Sequence, residues 1–262
     1  NDNILKLKKE YMMYRTNPVT FNVKIGGVSS NIANNLSFMS KNVKIFSLIL
    51  TKEQKRYLKN NNVNHYDVVN IKNDNFYSAI INHKGKLIIG LASNEKYEKI
   101  KSLNYKKIDK HINKKTCLII DLCFNKSLIK KTITYYYKKN IKIMVAGTSS
   151  FKIFRIRDSL KMISSICLNE DELFKLTNKQ KIKESISYIM KKNDNINLVI
   201  TRANKSVIMI VNKVKYLGSV PNIKIKNENG AGDAFAAMFF LCIKAKIEPK
   251  LTLNLSITLG CL

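Results

Sequence analysis

The sequence predicts an α/β fold in which a mostly parallel central sheet is covered by helices on both faces. Two patterns predict it. Between residues 116 and 201, short apolar runs typical of buried strands alternate with amphipathic helical runs. Farther on, Gly230-Ala231-Gly232-Asp233 separates an extended run from an apolar helical run. Because such alternation joins parallel strands through crossover helices, and because 262 residues suffice for a buried core, we expect residues 1–262 to form a single domain.

The first 113 residues predict strands, a hairpin and helices in turn. Apolar or alternating runs predict strands at residues 19–25, 43–49 and 63–71. Two apolar runs, 76–81 and 86–91, flank the polar turn 82–85 and predict a hairpin. Apolar residues at helical spacing predict helices at 26–39, 51–60 and 97–113.

The rest of the chain carries the βα alternation. Continuous apolar runs predict buried strands at residues 116–121, 141–146, 164–168 and 197–201, a hairpin of 206–210 with 214–217, and an extended run at 220–226. Helical spacing predicts helices at 127–139, 159–163, 171–176, 180–192, 234–241 and 250–262.

The charge allows two interpretations. The chain has 47 basic and 18 acidic residues, a formal net charge of +29. A nucleic-acid or anionic-surface binder would explain this excess. The basic residues are nearly all lysine and are spread along the chain, beside abundant Asn and Ile, as an AT-rich genome would encode. We favour this compositional origin and expect no nucleic-acid partner, although charge alone leaves a basic nucleic-acid-binding protein open.

The cysteines and the absence of long apolar runs bear on location. Five cysteines, an odd number without Cys-x-x-Cys spacing, predict buried free thiols in a reducing compartment, and hence a cytoplasmic protein. No apolar run reaches the roughly 18 residues of a membrane span, so we expect no membrane partner. The sequence begins at Asn1 without a start Met, and we expect both ends to be incomplete.

Gly230-Ala231-Gly232-Asp233 has the residue types of an anion site. Small residues let the backbone turn tightly with its N–H groups pointing outward together, and the following helix adds its positive end. A carboxylate at this mouth would repel the anion, unless it takes a proton from a hydroxyl that attacks a phosphate. We therefore predict Asp233 as general base and Gly230, Ala231 and Gly232 as the anion hole. The structural alternative is an Asp that caps a helix after a glycine turn.

This motif resembles the second signature of the ribokinase-like (PfkB) family of sugar and nucleoside kinases. The stretch from Gly26-Gly27 through Asn31 to Leu36 resembles the first signature, a glycine pair followed by Asn-x-Ala on a helix. Its pattern Gly-Gly-Val-x-x-Asn-Ile-Ala-x-Asn-Leu, with Asn17-Pro18-Val19-Thr20-Phe21 before it, is most similar to the pseudouridine kinase branch.

The resemblance implies a fold and an activity. It implies a ribokinase-like three-layer α/β/α sandwich with a small β-strand lid within about residues 1–25 and 72–93. It implies ATP-dependent phosphorylation of a sugar or nucleoside hydroxyl, here pseudouridine to pseudouridine 5′-phosphate, with Mg²⁺. It also leaves room for a monovalent cation such as K⁺ and for a homodimer formed through the lid.

The resemblance also assigns roles to further residues. Gly26, Gly27, Asn31 and Asp2 correspond to the residues that hold the sugar. Asn169 and Glu172 correspond to an Asn-x-x-Glu motif that arranges magnesium, its waters and the phosphates, and Thr201 lies where the family contacts the nucleotide phosphates. No residue is predicted as a direct metal ligand. For Asn169 and Glu172, the structural alternative is a capping-type helix start.

The chain departs from the family pattern at several positions. Ala203 and Ser206 replace the two glycines of Thr-x-Gly-x-x-Gly, so the loop must be rebuilt or strained if these positions need a positive φ. Ser93 stands where the pseudouridine kinase branch tends to carry Asp. These departures keep open a second hypothesis, a degenerate, non-catalytic relative.

Overall fold

The computed structural model describes residues 2–40, 42–72, 76–81, 87–93, 95–203, 205–222 and 230–261, with backbone alone for Asp2, Phe76, Ser78 and Leu87. The predicted turn 82–85 and residues 223–226 of the predicted extended run lie outside this part of the chain. Among the described helices, none is both long and apolar enough to cross a membrane.

Up to Asp109, the described residues form six strands and four short helices. The strands are β1 (Asp2–Leu7), β2 (Val19–Lys24), β3 (Lys44–Ile49), β4 (Asn64–Lys72), β5 (Phe76–Ile81) and β6 (Leu87–Ser93). The helices are α1 (Val28–Ser37), α2 (Lys52–Asn60), α3 (Glu95–Lys99) and α4 (Tyr105–Asp109). The prediction of a single helix at 97–113 is wrong, because α3 ends at Lys99 and α4 begins as a separate helix. Asn104 caps the start of α4, where its side chain accepts a hydrogen bond from Lys107 N.

The remainder alternates strands and helices as predicted. The strands are β7 (Cys117–Ile120), β8 (Lys142–Ala146), β9 (Ser165–Asn169), β10 (Asn197–Thr201), β11 (Val207–Val211) and β12 (Val214–Gly218). The helices are α5 (Lys126–Lys138), a 3-10 helix (Ile153–Met162), α6 (Glu170–Thr177), α7 (Ile182–Lys192), α8 (Ala231–Ala245) and α9 (Pro249–Cys261). The short helix predicted at 159–163 is the end of the 3-10 helix.

The central sheet has the strand order β12-β11-β10-β9-β8-β7. Strands β7 to β10 are parallel to one another, and β11 pairs antiparallel with both of its neighbours, β10 and β12. Its side chains alternate between two cores, as the two-residue period of a strand requires. Ile143, Ile166 and Leu198 belong to the core beneath α5, α6, α7 and the 3-10 helix. Met144, Cys167 and Val199 belong to the core beneath α1, α8 and α9. The predicted helix-covered parallel sheet is therefore confirmed, with one layer of helices on each face.

Six strands lie outside this sheet. β3 and β4 form a parallel two-stranded sheet, and β2-β1-β5-β6 form a separate four-stranded sheet. The predicted hairpin is confirmed as antiparallel pairing of β5 with β6. The predicted lid strands thus pair with each other, and Tyr77, Gly90 and Ala92 of this sheet line the large cleft of the molecule.

Asn193 joins the end of α7 to the end of the 3-10 helix. Its Nδ2 donates to Leu160 O at 2.9 Å and to Ile163 O at 2.8 Å, across the end of the 3-10 helix. We expect Asn193→Ala to lower the free energy of unfolding by about 2 kcal/mol, because both bonds are lost. Asn195→Ala is the control, since that side chain is exposed. Equal urea-denaturation midpoints for the two variants would contradict this assignment.

Candidate active site

The carboxyl ends of the central strands and the starts of α1 and α8 open onto one cleft of about 1040 Å³. Polar ends of parallel strands meet at one edge of a sheet, which is where α/β folds place their sites. The cleft is lined by nine predicted site residues: Gly26, Gly27, Asn31, Asn169, Glu172, Thr201, Gly230, Gly232 and Asp233. Ala231 is the first residue of α8 and does not line it. The side chain of Asp2 lies outside the described residues.

The start of α8 has the geometry of an anion site. Gly230 precedes the helix in the left-handed region, with φ 90° and ψ −9°, a conformation that glycine adopts without steric cost. The first helical hydrogen bond runs from Ala234 N to Gly230 O at 2.9 Å, so the amides before it point out of the helix end. Phe239 and Phe240 are fully buried and fix the helix in the core. The apolar run therefore holds the amide cluster at the cleft.

Asp233 and Asn31 are joined directly. Asn31 Nδ2 donates to Asp233 Oδ2 at 2.7 Å across 202 residues of sequence. Asn31 lies in the first turn of α1, which follows Gly27 at φ 103°. Sequence reasoning predicted both residues for the site but missed this bond. The amide can orient the carboxylate of the predicted base, which is half-buried and opens onto the cleft.

Asn169 and Glu172 form the capping box that was the structural alternative. Glu172 N donates to Asn169 Oδ1 at 2.8 Å, and Asn169 N donates to Glu172 Oε2 at 2.9 Å. Glu172 is only 4% exposed. Burial raises the pKa of its carboxyl to about 7; the backbone bond from Asn169 opposes this shift, and the charge of Asp233 adds to it. The side chain thus caps a helix and also contributes a titratable group to the cleft.

Gly147 makes room for Glu172. A Cβ built on Gly147 would lie 2.0 Å from Glu172 Oε2, far inside contact distance. Sequence reasoning missed Gly147, although a glycine directly after the predicted strand 141–146 was the available signal. It also missed Asp121, a carboxylate at the carboxyl end of β7 that lines the cleft.

The loop after β10 is strained at Ala203, the first of the two positions at which the family pattern has glycine. Ala203 adopts φ 50°, a left-handed conformation that costs a non-glycine residue about 1 kcal/mol. Arg202 spans the loop: its Nε donates to Ser206 O at 2.7 Å, and its Nη2 bonds the Ser206 hydroxyl. Thr201, which leads into this loop, donates to Leu168 O at 3.4 Å.

A family model described as pfkB family carbohydrate kinase matches residues 9–261. The chain belongs to the pfkB family of carbohydrate kinases. It is therefore a phosphotransferase, and enzymes of this family use ATP and a sugar. No curated protein sequence matches this pfkB-family chain.

Solved structures of pfkB-type kinases are similar to the chain. A carbohydrate kinase from Agrobacterium tumefaciens is 19% identical with a TM-score of 0.76, covering 99% of this chain and 86% of that one. Phosphofructokinase-2 from Escherichia coli is 14% identical, with a TM-score of 0.77 and coverage of 99% and 88%. Ribokinase from Cryptococcus neoformans var. grubii serotype A, in complex with ADP, is 16% identical, with a TM-score of 0.74 and coverage of 99% and 89%. At these identities they establish the ribokinase-like fold.

The raised pKa of Glu172 makes stability depend on pH. Its folded pKa of about 7 lies above the ordinary value of 4.5, so the protonated side chain's contribution is fully present below pH 4.5 and is lost as pH rises through 7. Glu172→Gln keeps the group neutral. The quantity of interest is the free energy of unfolding of the wild type minus that of this variant. We expect this difference to fall by about 3 kcal/mol as the pH rises from 4.5 to 7.

Chemical denaturation across this pH range measures the difference. Glu184→Gln is the control, because Glu184 lies on the surface of α7 and loses little hydration on folding. A wild-type minus Glu172→Gln difference that stays constant with pH would show that the Glu172 carboxyl is not desolvated.

Proposed function

We propose that this pfkB-family kinase transfers the γ-phosphoryl group of ATP to a sugar or nucleoside hydroxyl, with Asp233 as general base. One observation carries the proposal: the Asp233 carboxylate, the Asn31 amide and the amide cluster at the start of α8 face one cleft. Phosphoryl transfer needs mainly positioning and charge stabilisation, and these groups supply both.

Each group has one task in this mechanism. The acceptor hydroxyl binds beside Gly26, Gly27 and Asn31, and Asp233 takes its proton as the oxygen attacks. Asn31 holds Asp233 Oδ2 at 2.7 Å, which fixes the direction of the carboxylate. The amides at the start of α8 stabilise charge that develops on the transferred phosphoryl group. The acceptor oxygen forms a bond to the γ-phosphorus as the bond from that phosphorus to ADP breaks, so the products are a phosphate ester and ADP, and the proton passes to Asp233.

The donor set of the cleft fits Mg²⁺ held partly through water. Mg²⁺ prefers oxygen ligands and keeps several waters, so it needs few protein ligands. Asn169 Oδ1 and Glu172 Oε2 each accept a backbone hydrogen bond, so the capping box leaves Glu172 Oε1 as the oxygen best able to face a hydrated ion. Among the described residues, no three acidic, His or Cys side chains form a cluster that would hold a metal by themselves. When bound, Mg²⁺ would neutralise charge on the phosphates. The monovalent cation, K⁺, remains a prediction from the family resemblance of the sequence.

Pseudouridine is the acceptor that we propose. The first-signature pattern from Gly26 to Leu36 favours that branch of the family. Tyr77 of β5 lines the cleft and lies over Gly90, where an added Cβ would come within 2.8 Å of its hydroxyl. An aromatic ring that lines the same cleft as Asn31 can stack on the flat face of a nucleobase.

The four-stranded sheet offers a face for a homodimer. Phe21, Leu5, Ile80 and Ile89 are cross-strand neighbours in one row, and Phe21 and Ile89 are 63% and 45% exposed. The opposite face carries Tyr77 and faces the cleft. We propose that two copies pair through this exposed row, each sheet serving as the lid of its own cleft.

The free thiols of all five cysteines support a cytoplasmic location.

Turnover assays test the proposed activity. We expect pseudouridine, ATP and Mg²⁺ to give pseudouridine 5′-phosphate, with D-ribose and uridine as competing acceptors. Asp233→Asn should lower kcat about 10²- to 10⁴-fold, because it removes the general base. Asp158→Asn is the control, since that carboxylate pairs with Lys126 on the surface. If no acceptor is phosphorylated and calorimetry detects no ATP binding, the chain is a degenerate relative.

Sedimentation velocity tests the dimer. We expect the wild-type chain to sediment as a dimer, and the double variant Phe21→Asp/Ile89→Asp to sediment as a monomer, because each copy would bring two carboxylates into the buried interface. Tyr14→Asp is the control, a loop residue that is 98% exposed and outside this row. A monomeric wild type at micromolar concentration would exclude this interface.

A further inference from the structure

Asp121 lies at the carboxyl end of β7 and uses both carboxylate oxygens within the protein. Its Oδ2 accepts a hydrogen bond from Ser29 Oγ at 2.6 Å, across 92 residues of sequence. Its Oδ1 accepts from Cys123 N at 3.0 Å, a local turn that fixes the side chain. The carboxylate therefore joins the edge of the central sheet to α1.

Ser29 lies in the part of α1 that matters for the proposed reaction. It is the second residue of the helix, two positions after Gly27 and two before Asn31. Residues two apart point to different sides of a helix. The first turn of α1 is thus held from one side by Asp121, through Ser29, and from another by Asp233, through Asn31.

This first turn lacks support of its own. The residue before the helix is Gly27, which provides no side-chain cap, and the turn contains no acidic residue. Such a helix start, preceded by two glycines, has little intrinsic rigidity. Its position then depends on the contacts that it makes with β7 and α8.

The loop that carries Asp121 is itself fixed. Arg155, only 9% exposed, donates through Nη1 to the backbone carbonyls of Leu122, Cys123 and Phe124, and its Nη2 pairs with Glu98. A buried guanidinium that binds three successive carbonyls holds the loop in one conformation. Asp121 is therefore a firm anchor for the less rigid helix start.

We propose that Asp121 is a positioning residue, which holds the first turn of α1 so that Gly27 and Asn31 stay aligned with Asp233. Its effect on turnover rests on the proposed function, whereas its effect on α1 does not. The rival role is a direct one, in which the negative charge of Asp121 contacts the acceptor or a cation in the cleft.

Two substitutions at Asp121 separate these roles. Asp121→Asn can still accept from Cys123 N and can donate to Ser29 Oγ, so a positioning role predicts KM for pseudouridine within about threefold of the wild type. Asp121→Ala loses both bonds, and we expect KM for pseudouridine to rise about tenfold and kcat to fall about 10- to 100-fold. KM for ATP should stay unchanged. Equal, large defects in both variants would overturn the proposal in favour of the charge role.

Hydrogen exchange gives a readout that needs no turnover. Asp121→Ala and Ser29→Ala, which remove the same contact from opposite sides, should both speed amide exchange in residues 31–33 at least tenfold, where the helical hydrogen bonds begin with Asn31 N to Gly27 O. Asp109→Ala is the control: this carboxylate also binds two side chains, Tyr135 and Lys139, but does not line the cleft and makes no contact with α1 through them. It should leave exchange in α1 unchanged.

Turnover and amide exchange together distinguish a wrong substrate assignment from a wrong assignment of the Asp121 anchor. If pseudouridine is not phosphorylated but exchange in α1 rises as expected, the substrate assignment fails and the anchor stands. If exchange in α1 is unchanged in Ser29→Ala, the anchor is overturned whatever the kinetics. Should Asp121→Ala not fold, Ser29→Ala and Asp121→Asn decide the question.

Discussion

The hydrogen bond from Asn31 to Asp233 is the interaction on which the site depends. It joins the first turns of α1 and α8, whose residues are 202 positions apart in the sequence. Both helices begin after a glycine with positive φ, so both starts can approach the cleft without a side chain in the way. A carboxylate held by an amide beside a cluster of helix-end N–H groups is suited to remove a proton next to a phosphate. Each component alone would be an ordinary helix start.

The surroundings of this pair place like charges close together. Asp233 helps to raise the pKa of Glu172, so acidic groups converge in a chain whose formal net charge is +29. Like charges in a partly buried cleft are unfavourable unless cations or protons accompany them. A hydrated divalent cation with a nucleotide would relieve this repulsion. Residue 147 is a glycine, and the absence of a side chain there leaves space for the Glu172 carboxyl.

The loop after β10, which the sequence predicts to contact the nucleotide phosphates, is strained. Ala203 adopts a left-handed conformation that a glycine would adopt without steric cost. Arg202 bonds the carbonyl oxygen and the hydroxyl of Ser206 across the loop. Side-chain hydrogen bonds therefore hold the described residues of this loop around a strained backbone at Ala203.

The sequence by itself determined the class of fold and predicted most of the residues of the candidate site that meet in one cleft. Alternating apolar runs after residue 116 were sufficient to predict the parallel sheet, because strand and helix periods differ along the chain. The two glycine motifs led to the prediction of Asn31 and Asp233, because both motifs resemble signatures of the ribokinase-like family. The sequence alone did not predict how the strands are distributed among three sheets, or that two short helices replace the single helix predicted at 97–113. It also did not predict that Asn31 binds Asp233. Those features, and the anchor from Asp121 to Ser29, depend on which distant segments pack together, and hydrogen bonds between segments leave no periodic trace in the chain.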